Sequence, residues 1–231
     1  MEQFSRTELV LNSTGVEKLS HARILIVGLG GVGGAALEML VRAGVGNITM
    51  VDGDVFSLSN LNRQLGALHS NIGRNKAEVW AERCREINPG GNFTADANFL
   101  RSEEKIKELL SCGFDAVVDA IDETAAKTLL LSECAAKSLF TVSSMGAGGK
   151  RELVPIQVAD ISKTHGCPLA KIIRKNLRDL GVKHGIKAVF SPEQSIPRIP
   201  GKPVGSLSYI VAAFGLYLAR EVIEHLTAVD R

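Results

Sequence analysis

The chain has 231 residues, 45% hydrophobic and 23% charged, with a formal net charge of +2. These values fit one sizeable soluble domain and leave nucleic-acid binding to local basic clusters rather than bulk charge. Its four cysteines (Cys84, Cys112, Cys134 and Cys167) form no C-x-x-C pair, which excludes the usual structural zinc signature and points to reduced thiols in the cytoplasm. The opening Met1–Arg23 is mixed and polar rather than a signal peptide, and the apolar Val204–Leu218 is too short for a confident membrane span.

Phe4 to Leu19 reads as an arm with helical pieces, with Ser5 as N-cap and Glu8 completing a capping box. Arg6 is either a solvated helix charge, which sequence mechanics alone favours, or an arm residue reaching a phosphate. Arg23–Val27 is a buried-strand pattern running into Gly28-Leu29-Gly30-Gly31-Val32-Gly33. A helix from about Gly34 to Ala43 and a strand over Asn47–Val51 follow, ending at Asp52. In such a unit the glycines let phosphate oxygens meet N–H groups at the helix start, and the acid accepts from a ribose hydroxyl. The bland alternative is a glycine turn that only packs helix on sheet.

Residues 53–64 (GDVFSLSNLNRQ) form a polar segment that a plain dinucleotide site does not need. Arg63 offers a planar fork for phosphate, and Asn60 an amide for ribose or phosphate. A helix over Gly73–Asn88 places Lys76 in its first turn, where the helix dipole disfavours a cation. That conflict favours a functional Lys76. Strands are expected over Phe93–Phe99, Asp115–Asp122 and Leu139–Ser143, with helices over Glu103–Ser111 and from near Thr124 to about Ser138. Asp119 and Asp122 fall at the carboxyl end of a strand, where ligands collect. Asp122 is read as a Mg²⁺ ligand and Asp119 is left open, since one of the two suits a helix N-cap.

GLGGVG, VDGDVFSLSNLNRQ, Lys76 and VVDAID together resemble the ubiquitin-activating-enzyme-like superfamily of ATP-dependent adenylyltransferases, over nearly the whole chain. The resemblance implies an α/β fold, Rossmann-like and doubly wound, with a mostly parallel sheet and an antiparallel extension. It implies ATP and Mg²⁺, with Gly28, Gly30, Gly31, Gly33, Asp52, Asp54, Asn60, Arg63, Lys76 and Asp122 around the nucleotide and Asp122 on the metal. Arg6, Arg63, Lys76 and Asp122 would be the catalytic set. Arg6 then matches an arm arginine that reaches the partner's phosphates in a homodimer.

The second half, from Ser143-Ser144-Met145-Gly146-Ala147-Gly148-Gly149-Lys150 through Cys167-Pro168-Leu169-Ala170-Lys171 to Gly205-Ser206-Leu207-Ser208-Tyr209, is most similar to the tRNA threonylcarbamoyladenosine dehydratases. That similarity implies ATP-dependent cyclisation of a carboxylate beside the tRNA anticodon. The expected partners are the tRNA anticodon stem-loop, a second copy of the chain and a cysteine-desulfurase/sulfur-acceptor system. The rival activity is adenylation of the C-terminal glycine of a small ubiquitin-like sulfur-carrier protein. A second rival is a non-catalytic nucleotide-binding or scaffold protein, against which intact Arg6, Arg63, Lys76 and Asp122 argue, and an NAD-linked oxidoreductase is a weaker third, allowed by the glycine loop and Asp52 alone.

The expected organisation is a single domain over 1–231: an arm (1–22), a nucleotide-binding half (23–144) and a substrate and dimer half (145–231). Arg151–Ile161 reads as an edge strand. Pro168–Leu180 is an amphipathic helix whose Lys171, Arg174, Lys175 and Arg178, with Lys183 and Lys187, are either a solvated face or a grip on tRNA phosphates. Residues 191–203, with four prolines, Arg198 and Lys202, read as a mobile loop, and Gly205–Leu226 as an apolar helix for core or dimer interface. Cys167 opens a helix and is either a nucleophile or a packing residue. The five histidines show no ligand spacing.

Overall fold

A computed structural model describes residues 2–197 and 199–228; Arg198, assigned to the mobile loop, lies outside the described residues. Seven strands form one sheet: β1 (Arg23–Val27), β2 (Asn47–Val51), β3 (Asn92–Asp96), β4 (Ala116–Asp119), β5 (Thr141–Ser144), β6 (Gln157–Asp160) and β7 (Lys187–Phe190). Their order is β3-β2-β1-β4-β5-β7-β6. All neighbours are parallel except β6 and β7, so the α/β doubly wound sheet with its antiparallel extension is as expected. Strand order reverses between β1 and β4, which opens a crevice at their carboxyl ends. Val27 pairs with both Val51 and Asp119, so Gly28, Asp52 and Ala120 leave the sheet at one level.

β1 shows why the sheet needs cover on both faces. Ile24 and Ile26 join one buried cluster and Leu25 and Val27 another, as a period of two demands. The first cluster is covered by α2 (Gly31–Ala43), α3 (Lys76–Ile87) and α7 (Ser208–Thr227), the second by α4 (Glu103–Ser111) and α5 (Thr124–Ala136). α6 (Pro168–Asp179) packs on α5 and closes a third cluster over β7. The late apolar helix is thus core along Ile210, Val211, Phe214, Leu218 and Val222. A Cβ on its Gly215 would lie 2.5 Å from the Val32 carbonyl oxygen, so α2 and α7 are in backbone contact. No helix among the described residues is long and apolar enough to cross a membrane.

Several local expectations are corrected. Ser5 is the first residue of the arm helix α1 (Ser5–His21), whose N-cap is Phe4 with no side-chain cap bond. Asn12 interrupts that helix at φ 57° and caps its second piece, accepting from the Gly15 N–H at 3.0 Å. α2 starts at Gly31, inside the glycine motif. Neither Asp119 nor Asp122 caps α5; Glu123 does, accepting from the N–H groups of Ala125 and Ala126. The strand expected over Arg151–Ile161 shrinks to four residues, and β7 inserts between it and β5. β7 escaped prediction because four residues, KAVF, carry too little periodicity to register.

Candidate active site

The glycine loop is shaped by steric need. Gly28 sits at φ 89°, and a Cβ there would meet the Ala120 carbonyl oxygen at 2.6 Å. A Cβ on Gly33 would fall 1.8 Å from the Gly28 oxygen. Gly30 is the N-cap of α2 and carries no side chain to satisfy the first turn, so the free N–H groups of that turn face the crevice as an anion site. Beside Gly30 stands the amide of Gln64, buried, with its Oε1 unpartnered. Sequence reading passed over Gln64, although it directly follows Arg63.

Asp52 accepts from the Leu29 N–H at 2.6 Å and the Asp54 N–H at 2.9 Å, which locks the acid to the loop. Burial pushes its carboxyl above the usual range, against the pull of Lys76 and of those two donors. Lys76 is the first residue of α3 and 6% exposed, with Nζ 2.9 Å from Asp54 Oδ2. That carboxylate answers the unfavourable helix dipole. Asn75 caps α3 through Glu78 N–H and donates to the carbonyls of Asp52 and Asp54 at 3.1 Å each. It clamps the acid-bearing loop to α3, a role invisible without the fold.

Arg63 Nη1 donates to the Ser59 carbonyl at 2.8 Å and to Asn62 Oδ1 at 2.9 Å. Its other guanidinium nitrogens make no hydrogen bond among the described residues. Asn60 is buried and its Oδ1 accepts from the Ser57 N–H at 3.1 Å, so its oxygen holds the loop. Asp119, which ends β4, and Asp122, in the turn after it, separate cleanly: Asp119 is fully buried against Lys127 and Ser143, whereas Asp122 is exposed and unpaired among the described residues. No group of three or more His, Cys, Asp or Glu side chains able to hold a metal occurs among those residues. A lone exposed carboxylate does suit Mg²⁺ that arrives on nucleotide phosphates and keeps its waters.

Arg6 is not part of this gathering. Phe4 packs on Gly44 at the C-terminal end of α2, roughly 20 Å from the glycine loop at 1.5 Å per residue. On the far wall, Glu193 accepts from the N–H groups of Arg151 and Glu152 at 2.8 and 3.1 Å, and buried Lys150 donates to the Glu193 carbonyl at 2.6 Å. Burial holds the Lys150 ammonium below its usual pKa, with Cys167 and Glu193 opposing. Cys167 lies buried in the apolar third cluster. On α6, Arg174 is spent on the Thr164 carbonyl and hydroxyl, and Lys187 pairs with Glu221 at 2.6 Å. Lys171, Lys175 and Arg178 stay exposed without a carboxylate partner among the described residues.

The model of the ThiF family matches residues 4–231. The chain belongs to this family. It is 41% identical over 196 residues to the tRNA threonylcarbamoyladenosine dehydratase of Bacillus subtilis, spanning 85% of this chain and 77% of that protein. The crystal structure of the Escherichia coli tRNA N6-threonylcarbamoyladenosine dehydratase in complex with ATP superposes with a TM-score of 0.92 at 35% identity, covering 97% of this chain and 93% of the other. A molybdopterin-synthase adenylyltransferase of Escherichia coli matches less of this ThiF family chain, 35% identical over 164 residues, 70% of it and 64% of the relative.

Proposed function

We propose that this ThiF family protein is an ATP-dependent tRNA threonylcarbamoyladenosine dehydratase. The observation that carries the reading is the near-complete superposition on an ATP-bound dehydratase at 35% identity. The shorter match to the carrier-protein activator places that rival further away.

In this reading the triphosphate lies over the α2 N-terminus, the ribose on Asp52, and Arg63 and Lys76 face the phosphates. Gly28, Gly30, Gly31 and Gly33 give the backbone access, while Asp54 and Asn60 hold the loop around it. Asp122 would hold Mg²⁺, which would supply neutralisation of charge on the phosphate oxygens. A carboxylate oxygen of the threonylcarbamoyl group attacks the α-phosphorus and pyrophosphate leaves. The substrate's own nitrogen then attacks the acyl carbon and loses its proton, and AMP departs with the carboxylate oxygen. The balance is loss of one water from the nucleoside, and the ring closure needs no enzyme nucleophile.

The protein works as a single-domain unit in a homodimer in the cytoplasm. Arg6 serves the partner's site, a reading supported by its distance from its own glycine loop and by Leu9 and Val10 beside it, each 82% exposed. The tRNA stem runs along Lys171, Lys175 and Arg178.

The test is incubation with Mg-ATP and tRNA carrying linear threonylcarbamoyladenosine, followed by mild nucleoside mass spectrometry. Loss of one water, abolished by Asp122→Ala, supports the proposal. An unchanged nucleoside despite ATP binding overturns it. Mixing Arg6→Ala with Lys76→Met chains should restore activity that neither has alone; no restoration would put Arg6 outside the partner's site.

A further inference from the structure

Asp122 makes no hydrogen bond among the described residues, yet the turn that carries it, residues 120–123, is held tightly from below. Asp119 and Lys127 are both 0% exposed, with Lys127 Nζ 2.6 Å from Asp119 Oδ2. The same ammonium donates to the Ile121 carbonyl at 3.0 Å. Asp119 Oδ1 accepts from the Ile121 N–H at 3.1 Å, and Ser143 Oγ on β5 donates to Asp119 Oδ2 at 2.5 Å. Both backbone groups of Ile121 are therefore engaged, one by each member of the buried pair. The peptide plane joining Ile121 to Asp122 is fixed as a result, and Glu123 is fixed in turn by capping α5. Only the Asp122 side chain is left free.

A buried ion pair stabilises a fold no better than apolar groups of the same volume would. The parallel pairing of β4 and the Glu123 cap already secure strand and helix, so packing alone does not account for two fully buried charges here. Outer partners that orient a metal ligand typically govern about 10–100-fold in metal affinity.

We infer that Lys127 and Asp119, seated by Ser143, are positioning residues that aim Asp122 at the nucleotide's divalent cation. The inference rests on the reading of Asp122 as the magnesium ligand. The pair touches neither ATP nor tRNA; it acts through the backbone of Ile121.

The test compares the full-length wild type with three variants: Asp122→Ala, Ser143→Ala and the double variant Asp119→Asn/Lys127→Met, in which the buried site is neutral and close to its original volume. Calorimetry measures ATP affinity in EDTA and across a magnesium series, with thermal melts as the fold control. Asp122→Ala should abolish the gain in ATP affinity that magnesium brings. The double variant should need about 10-fold more magnesium for half-saturation and Ser143→Ala about 2–3-fold more, while affinity in EDTA stays within about twofold for both. A purely structural role would lower both affinities together or neither. Wild-type magnesium dependence in Ser143→Ala and the double variant, with the gain lost in Asp122→Ala, overturns the positioning role alone. A gain retained in Asp122→Ala overturns the ligand reading and this inference with it. If the double variant does not fold, Ser143→Ala decides between the same two results.

Discussion

The two walls of the crevice are held by different means. On the nucleotide wall, Gly28, Asp52 and Lys76 sit at strand ends and helix starts, where the position of a residue in the chain already dictates its position in space. On the opposite wall, residues 148–152 and 193–196 are loops tied by hydrogen bonds: Lys150 Nζ to the Glu193 carbonyl, the Arg151 and Glu152 N–H groups to the Glu193 carboxylate, Ser195 Oγ to the Gly148 carbonyl at 3.2 Å, Ile196 N–H to the Gly149 carbonyl at 2.8 Å. The first arrangement is local and repeats across folds of this type. The second joins segments more than forty residues apart, and each bond depends on the fold having formed. In the proposed function, nucleotide binding would be built into regular structure and substrate choice left to the loops.

The largest effect should come from the first wall. Lys76→Met removes a nearly buried cation from the proposed phosphate site and should lower product formation by about 10²–10³-fold, within the range for losing one preorganised charge donor. A drop of less than tenfold, measured by nucleoside mass spectrometry, would mean that this wall does not carry the chemistry. Glu193→Ala tests the other wall. It should leave ATP affinity within about twofold by calorimetry and lower turnover roughly tenfold through misplaced substrate; a large loss of ATP affinity would erase the distinction between the walls.

Glu38 is a smaller test of how the first wall keeps its shape. It is buried on α2 and pairs with Arg83 on α3 at 2.6 Å and with Arg42 at 2.7 Å, which ties the helix of the glycine loop to the helix of Lys76. Burial pushes its carboxyl up, but the hydrogen bonds from Arg83 and Arg42 outweigh that and hold it below the usual carboxylate range. A carboxylate lowered in the fold contributes stability above its unfolded pKa and loses it as pH falls through the folded one. Glu38→Gln should therefore cost about 1–2 kcal/mol at pH 7, less than a fully buried pair because both arginines are partly in water. In urea titrations the difference from wild type should close below about pH 4; a constant difference would assign the effect to packing.

The smallest effect concerns the thiols. Burial pushes Cys84 and Cys134 up to about 12, Cys167 is buried as well, and Cys112 is exposed. A thiol reagent at pH 8 should label Cys112 quickly and the others only on unfolding. Fast labelling of Cys167 would reopen it as a nucleophile on the loop wall.

How much was legible follows the same divide. The places of Asp52, Lys76 and the glycines could be read because each lies next to a periodic element whose period names it. Asn75 and Gln64 could not, because a cap and a buried amide look like ordinary polar residues until the loop closes over them. Asp119 and Asp122, three residues apart at one strand end, read alike. Only the positions of Lys127 on α5 and Ser143 on β5 separated a buried anchor from an open carboxylate.

Local chemistry in the chain, without any coordinates, therefore determined the strand–glycine loop–helix–strand unit and the strand-end place of Asp52, and together with the family resemblance the doubly wound sheet, since period, glycine and strand-end acid act over a few positions. The tertiary structure decided the rest: β7 between β5 and β6, the distance between Arg6 and its own glycine loop, the spending of Arg174 and Lys187 on neighbours, and the burial of Asp119. Each of these depends on which distant segment arrives beside a residue, and burial and pairing belong to the folded chain rather than to any stretch of it.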